Sequence, residues 1–103
     1  MWTAVSGAPQ LFPGDAAVVR AGHEEYALFN VGGQLFATSN RCPHQGGSLG
    51  DGHLEGSCVM CPLHGWGFDV RTGAAAHVAQ PGSIRTYAVK EESGQIWLDL
   101  PEI

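Results

Sequence analysis

Two short segments, each with one cysteine and one histidine, constrain this chain more than any other feature. Cys42-Pro43-His44 is followed, after sixteen residues, by Cys61-Pro62-Leu63-His64. The prolines and the glycines nearby indicate that both segments are turns. Two such turns facing each other supply two sulfur and two nitrogen ligands, a set that soft or borderline metals accept. The sequence therefore predicts one metal centre, with Cys42, His44, Cys61 and His64 as its ligands.

The residue types alone leave the metal open, because sites with two sulfur and two nitrogen ligands suit both zinc and iron–sulfur centres. The spacing favours iron–sulfur, since zinc fingers usually pair like ligands, whereas each segment here carries one of each kind. A zinc-stapled structural module remains an alternative of a different class. The chain has three cysteines, and this odd number excludes a complete framework of intramolecular disulfides.

The third cysteine, Cys58, lies three residues before Cys61 and could suggest a zinc site with three cysteines. Residues 57–60 have the composition of a short strand, which would direct Cys58 and Cys61 to opposite faces. We therefore expect Cys58 to be a small buried side chain that ligates no metal.

The rest of the chain has the pattern of an all-β domain. Short β-branched and aromatic runs alternate with Gly, Pro, Asn and Asp at intervals of about ten residues. The predicted strands are residues 15–21, 24–31, 34–39, 84–90 and 95–100, with a tight hairpin turn at Gly32-Gly33. Residues 40–81 hold all three cysteines and four of the five histidines. We expect a single domain over residues 1–103 in which residues 40–81 form a Cys/His-rich excursion.

Together these features resemble the Rieske family, in which two Cys hold one iron of a 2Fe-2S cluster and two His hold the other. The resemblance also includes Gly65, the strand and turn at residues 68–73, and a proline-containing third loop at residues 80–82. It implies an antiparallel β-sandwich with a smaller cluster-binding subdomain at about residues 40–81. In that fold Cys42 and Cys61 would ligate the inner iron, and His44 and His64 the exposed outer one.

The resemblance also predicts a low reduction potential. The high-potential members carry a disulfide beside the cluster, and the matching positions here are Gly47 and Leu63. They also place Ser and Tyr hydroxyls near the sulfurs, where this chain has Trp66 and Phe68. Fewer hydrogen bonds to the sulfurs leave more electron density on the cluster, so we expect a midpoint within about 100 mV of −150 mV.

Charge narrows the range of partners. The formal net charge is −5, and binding to nucleic acid requires a clustered basic surface. No apolar run reaches the ~20 residues needed to span a bilayer, and the first residues lack the pattern of a signal peptide. We therefore expect a cytoplasmic, monomeric protein that binds neither nucleic acid nor membrane.

Within the Rieske family, the chain looks like the ferredoxins that carry electrons from a flavoprotein reductase to a terminal oxygenase that hydroxylates aromatic rings. It is also similar to the small Rieske subunit of NADH-dependent nitrite reductase, because residues 41–47 read RCPHQGG. That reading implies a large nitrite reductase subunit as the partner. The sequence shows no catalytic set of its own, so we expect an electron-transfer component of an oxidoreductase system.

Overall fold

A computed structural model of the chain describes residues 1–43, 46–62, 66–76 and 82–101. The described residues form ten β-strands and one short 3₁₀ helix, Leu49–Asp51, and they contain no helix that is long and apolar enough to cross a membrane. The strands are β1 Trp2–Ser6, β2 Ala16–Ala21, β3 Glu24–Val31, β4 Gln34–Ser39, β5 His53–Glu55, β6 Cys58–Met60, β7 Gly67–Asp69, β8 Thr86–Tyr87, β9 Val89–Glu92 and β10 Gln95–Asp99.

The strands form two antiparallel sheets. The larger sheet has the order β8-β4-β3-β2-β1-β10-β9, and the smaller one has the order β5-β6-β7. Strand β1 joins two halves of the larger sheet, because Thr3 pairs with Leu98 of β10 whereas Val5 pairs with Ala21 of β2. The two halves face each other across an apolar core. This arrangement confirms the predicted all-β fold, an antiparallel β-sandwich with a smaller second sheet.

The predicted strand at residues 84–90 is wrong as a single element. It divides at Ala88 into β8, which pairs with β4, and β9, which pairs with β10. These two strands stand at opposite ends of the strand order, so the chain crosses from one half of the sandwich to the other within one residue. Strand β1 was not predicted at all.

Two apolar cores share strand β3, in which Ala27, Leu28, Phe29 and Asn30 are all buried. Leu28 points into one core, which we call the sandwich core. Ala27 and Phe29 point from the opposite face of β3 into the other, which we call the loop core. The buried members of the sandwich core are Val5, Val19, Ala21, Leu28, Ala37 and Leu98. Those of the loop core are Ala27, Phe29, Cys42, Leu49, Val59, Cys61, Phe68, Val70 and Ile84.

Candidate metal centre

Both predicted cysteine ligands lie in the loop core. The exposed fraction is 1% for Cys42 and 2% for Cys61, and the two residues belong to the same apolar cluster as Leu49 and Phe68. All three cysteines of the chain fall in described segments, and none is in a disulfide. The fold therefore brings together, in one dry environment, two thiols that are nineteen positions apart in the sequence.

Backbone hydrogen bonds close the first turn around Cys42. The Cys42 N–H donates to the Gly47 carbonyl at 2.8 Å, and the Gly46 N–H donates back to the Cys42 carbonyl at 2.8 Å. Gly46 has a φ of +72°, a left-handed conformation that glycine adopts without steric cost. The turn is therefore fixed by the backbone, and the thiol of its first residue is directed into the core.

Asn40 links the two sides of this turn by hydrogen bonds, a role that was not predicted from the sequence. Its Oδ1 accepts a hydrogen bond from the Gly50 N–H at 2.8 Å, and its Nδ2 donates to Ser48 Oγ at 3.0 Å. Its carbonyl accepts from the Leu49 N–H at 2.7 Å. An Asn at the mouth of a Gly-rich loop is the only sequence signal of this role, because such side chains often bond nearby backbone.

The second cysteine stands at the tip of the hairpin between β6 and β7. Met60, the last residue of β6, pairs with Gly67, and the Cys61 N–H donates to the Trp66 carbonyl at 2.7 Å. Phe68 follows in β7 and is completely buried, while Trp66 is partly buried against the loop core. The second turn therefore extends from the end of the smaller sheet.

Two glycines allow close contacts between the segments around the site. A side chain at Gly52, just after the 3₁₀ helix, would collide with the Met60 carbonyl, so only glycine lets the first loop approach β6 this closely. Gly82 has a φ of +89°, and a Cβ there would lie 3.5 Å from Pro43 Cγ. The described end of the predicted third loop therefore lies beside the first loop.

Several predicted positions lie outside the described residues: His44, Leu63, His64, Gly65, Gln80 and Pro81. The assignment of His44 and His64 as ligands therefore stays a prediction. No group of three or more potential metal ligands occurs among the residues that are described.

Cys58 departs in part from its prediction. It lies in a strand, β6, between Glu55 of β5 and Asp69 of β7, but it is only partly buried. Beside it, Arg71 forms a two-pronged contact with Asp69, with Nε–Oδ1 and Nη2–Oδ2 distances of 3.2 and 3.0 Å. These hydrogen bonds hold the pKa of Asp69 below its ordinary value. Cys58 is thus part of a polar outer face of the smaller sheet, apart from the loop core.

The cysteines fit a thiolate-ligated metal centre. Two thiols are buried in one apolar cluster, each at a turn closed by backbone hydrogen bonds. They can serve as ligands of a metal that accepts sulfur donors. A cationic metal centre is a partner that two such cysteines can bind through their sulfur atoms. This donor pair is equally suited to zinc and to iron–sulfur.

Comparison with known proteins identifies the family. Residues 1–88 match the model of the Rieske [2Fe-2S] domain. The chain is 37% identical over 99 residues to the ferredoxin component of the naphthalene 1,2-dioxygenase system of Pseudomonas putida, a match that covers 96% of this chain and 95% of that protein. It is 44% identical over 77 residues to the 3-phenylpropionate/cinnamic acid dioxygenase ferredoxin subunit of Escherichia coli (strain K12), covering 74% and 73%.

A solved structure agrees with these matches. It is a complex of reduced oxygenase and oxidized ferredoxin in carbazole 1,9a-dioxygenase, and one of its chains matches this fold with a TM-score of 0.81 at 33% identity. The match covers 94% of this chain and 91% of that one.

Proposed function

Since this chain belongs to the Rieske [2Fe-2S] domain family, we propose that it is a one-electron carrier whose single 2Fe-2S cluster is held by Cys42, His44, Cys61 and His64. The observation that carries the proposal is the pair of buried cysteines, Cys42 and Cys61, which two separate turns bring into one core without a disulfide. The named relatives, ferredoxin components of dioxygenase systems, support the same role.

When bound, the cluster supplies one site that gains and loses a single electron. Cys42 and Cys61 would anchor it, and backbone hydrogen bonds hold the turns that carry both thiols. Leu49 and Phe68 keep water away from the thiol side of the site, since both are completely buried. Because Phe68 has no hydroxyl to donate to a cluster sulfur, its burial at this position supports the expected low potential.

We further propose that a flavoprotein reductase reduces this protein and that a terminal ring-hydroxylating oxygenase oxidises it, in the cytoplasm and with the carrier as a monomer. Support comes from the carbazole 1,9a-dioxygenase complex, in which an oxygenase and a ferredoxin are bound together. The relatives named above lend no support to the nitrite reductase alternative. We also propose that the chain is one domain whose residues 40–81 form the cluster-binding subdomain.

Three matched cysteine variants test the metal centre. Cys42→Ser and Cys61→Ser should lose the iron, the acid-labile sulfide and the visible absorption, whereas Cys58→Ser should keep all three, because Cys58 lies outside the loop core. His44→Gln and His64→Gln should also lose the cluster, with His23→Gln, in the exposed turn between β2 and β3, as the control. A colourless wild-type protein with one zinc per chain would instead establish the zinc module.

A second experiment tests the carrier role. Titration with dithionite should show that each chain takes up one electron, with a midpoint within about 100 mV of −150 mV. The reduced protein should then be reoxidised by a ring-hydroxylating terminal oxygenase and not by a nitrite reductase large subunit. A midpoint above about +100 mV would contradict the low-potential assignment.

A further inference from the structure

The residue before the first cysteine, Arg41, folds its side chain back over the turn that it opens. A Cβ at Gly46 would lie 3.1 Å from Arg41 Nε, 3.5 Å from Nη2 and 3.6 Å from Cζ. These distances place the Nε and Nη2 edge of the guanidinium beside Gly46. Gly46 has a positive φ that disfavours other residues, and the guanidinium occupies the space beside its Cα.

This arrangement brings a positive charge onto the loop that holds Cys42. Arg41 is the chain neighbour of Cys42, so their Cα atoms are about 3.8 Å apart. Gly46, on which the guanidinium packs, donates its N–H to the Cys42 carbonyl. An arginine keeps its charge at every pH at which the protein is folded. In this structure the charge therefore lies over the turn.

The charge on Arg41 is also uncompensated at close range. Among the residues that the structure describes, no carboxylate forms an ion pair with Arg41, whereas Arg20 pairs with Glu25 at 3.5 Å, Arg71 with Asp69 at 3.0 Å and Lys90 with Glu92 at 3.3 Å. Arg41 faces an open, polar cavity of about 570 Å³. Its other ionisable lining groups are Arg20, His23, Glu24 and Glu25. Glu25 is already paired with Arg20. Glu24 is therefore the one carboxylate lining this cavity that could pair with Arg41 without breaking an existing ion pair.

We propose that Arg41 is a positioning residue that holds a positive charge against the first cluster loop and thereby raises the reduction potential of the centre. The inference rests on the proposed 2Fe-2S site. Two ferric ions, two sulfides, two thiolates and two neutral imidazoles sum to zero, so reduction by one electron gives the centre a charge of −1. A nearby cation stabilises the reduced state and leaves the neutral oxidised state almost unaffected. Arg41 therefore offsets part of the lowering that comes from the missing hydroxyls at positions 66 and 68.

Redox titration of the intact protein tests this inference, with dithionite as reductant and the visible bands as readout. Arg41→Gln should lower the equilibrium constant for reduction about ten-fold, which is a shift of 59 mV for a one-electron couple. Arg41→Lys, which keeps the charge, should recover at least half of this shift. Arg41→Met is the second neutral variant if the glutamine variant does not assemble. Lys90→Gln is the control, because it changes the net charge equally on the far half of the sandwich and should leave the potential unchanged.

Ionic strength separates an electrostatic role from a purely structural one. The difference between wild type and Arg41→Gln should shrink as salt rises, because exposed charges are screened over about 8 Å at physiological ionic strength. Equal potentials for wild type and Arg41→Gln would overturn the inference while leaving the proposed function intact. A lysine variant as low as the glutamine variant would also overturn it. A wild-type protein without iron would refute both the inference and the proposed function.

Discussion

The two cores on either side of β3 differ in residue composition and in the length of the strands around them. The buried residues of the sandwich core are all aliphatic, and they come from strands of five to eight residues. The loop core contains Cys42 and Cys61, and its outer wall is a sheet of three strands with three residues each. The sandwich core lies between regular strands, whereas the loop core lies among turns and short strands around the candidate metal site.

This difference indicates where the stability of each region comes from. Sheets with an extended apolar face can be stable by themselves, but a small sheet of very short strands needs packing or a staple. The loop core receives packing from Ala27 and Phe29 on the outer face of β3. Its remaining support should come from the bound cluster, because ligands fixed by a metal add their binding free energy to folding.

Removal of the iron should produce the largest difference between the two regions. After chelation under reducing conditions, amide hydrogen exchange should become fast in the described parts of residues 40–76, while β1 to β4, β9 and β10 keep their slow exchange. Mass spectrometry of peptides from the two regions makes the comparison within one sample. Equal acceleration in both regions would mean that the sandwich also depends on the cluster.

Truncation of one large side chain in each core should separate stability from metal retention. Phe68→Ala should lower the free energy of unfolding by about 3–5 kcal/mol, and Leu28→Ala by about 2–5 kcal/mol, because both side chains are completely buried. Only Phe68→Ala should also lose iron, since Phe68 packs in the core that holds the cysteines. Urea unfolding followed by circular dichroism and by cluster absorption tests this pair. Iron loss from Leu28→Ala at low urea would contradict the separation.

Two asparagines offer a finer test of whether metal retention depends on the loop region and not on the sandwich. Asn40 accepts a hydrogen bond from the Gly50 N–H at 2.8 Å beside the cluster loop, and Asn30 accepts one from the Gly33 N–H at 2.8 Å in the β3–β4 hairpin. Each alanine variant should lower the free energy of unfolding by about 1–3 kcal/mol, because a partly buried N–H loses its acceptor.

Only Asn40→Ala should release iron faster to a chelator, which absorption decay in the presence of excess chelator measures. Asn30→Ala is the matched control, because it removes the same chemical group from the opposite end of the sandwich. Equal release rates from the two variants would show that Asn40 does not support the metal site.

The smallest effect should come from Asp69, whose side chain is 21% exposed in its contact with Arg71. The hydrogen bonds from Arg71 lower the pKa of Asp69 from its ordinary 3.8. The ionised carboxylate therefore stabilises the fold above about pH 4, and this contribution disappears as the pH falls through the lowered pKa.

Asp69→Asn should lower the free energy of unfolding at pH 7 by about 1 kcal/mol or less, because solvent screens this pair. The difference between the variant and wild type should shrink as the pH falls below about 4 and disappear once Asp69 is protonated in the folded protein, as measured by thermal unfolding at several pH values. A difference that persists in acid would show that the turn after β7, and not the charge, requires Asp69.

Local patterns in the sequence predict much of the fold. The β3–β4 hairpin has the predicted bounds because both strands carry β-branched and aromatic residues, and Gly32 and Gly33 have the positive φ values that a tight turn requires. Ile96 and Leu98 of β10, and Leu100 just after it, pack in the sandwich core, as period-two alternation predicts.

Features that depend on distant partners could not be predicted in this way. The break at Ala88 exists because β8 and β9 pair with strands about fifty positions away and a few positions away, respectively. No residue type at position 88 signals the exchange. Strand β1 is similar, since it is defined by pairing with β10 at the other end of the chain.

The same distinction applies to the candidate site: its ligand pattern was visible in the local sequence, whereas other features depend on the fold. The spacing of Cys42 and Cys61 with their neighbouring histidines was enough to predict a metal centre, because metal ligands are distinctive residue types. Asn40 and Arg41 act through hydrogen bonding and packing on the first loop, and their residue types are common beside any loop. Only the fold shows that the Arg41 guanidinium lies against Gly46.

The change of pairing strand at Ala88 places two short strands, β8 and β9, at the edges of the larger sheet. This placement affects the tendency of the protein to aggregate at high concentration. Exposed sheet edges invite pairing with other chains, and natural proteins blunt them with short strands or charged side chains. The end strands of the larger sheet use both devices: β8 has only two residues, and β9 carries Lys90, Glu91 and Glu92. The larger sheet therefore gives a neighbouring molecule little to extend, which protects it against edge-to-edge aggregation.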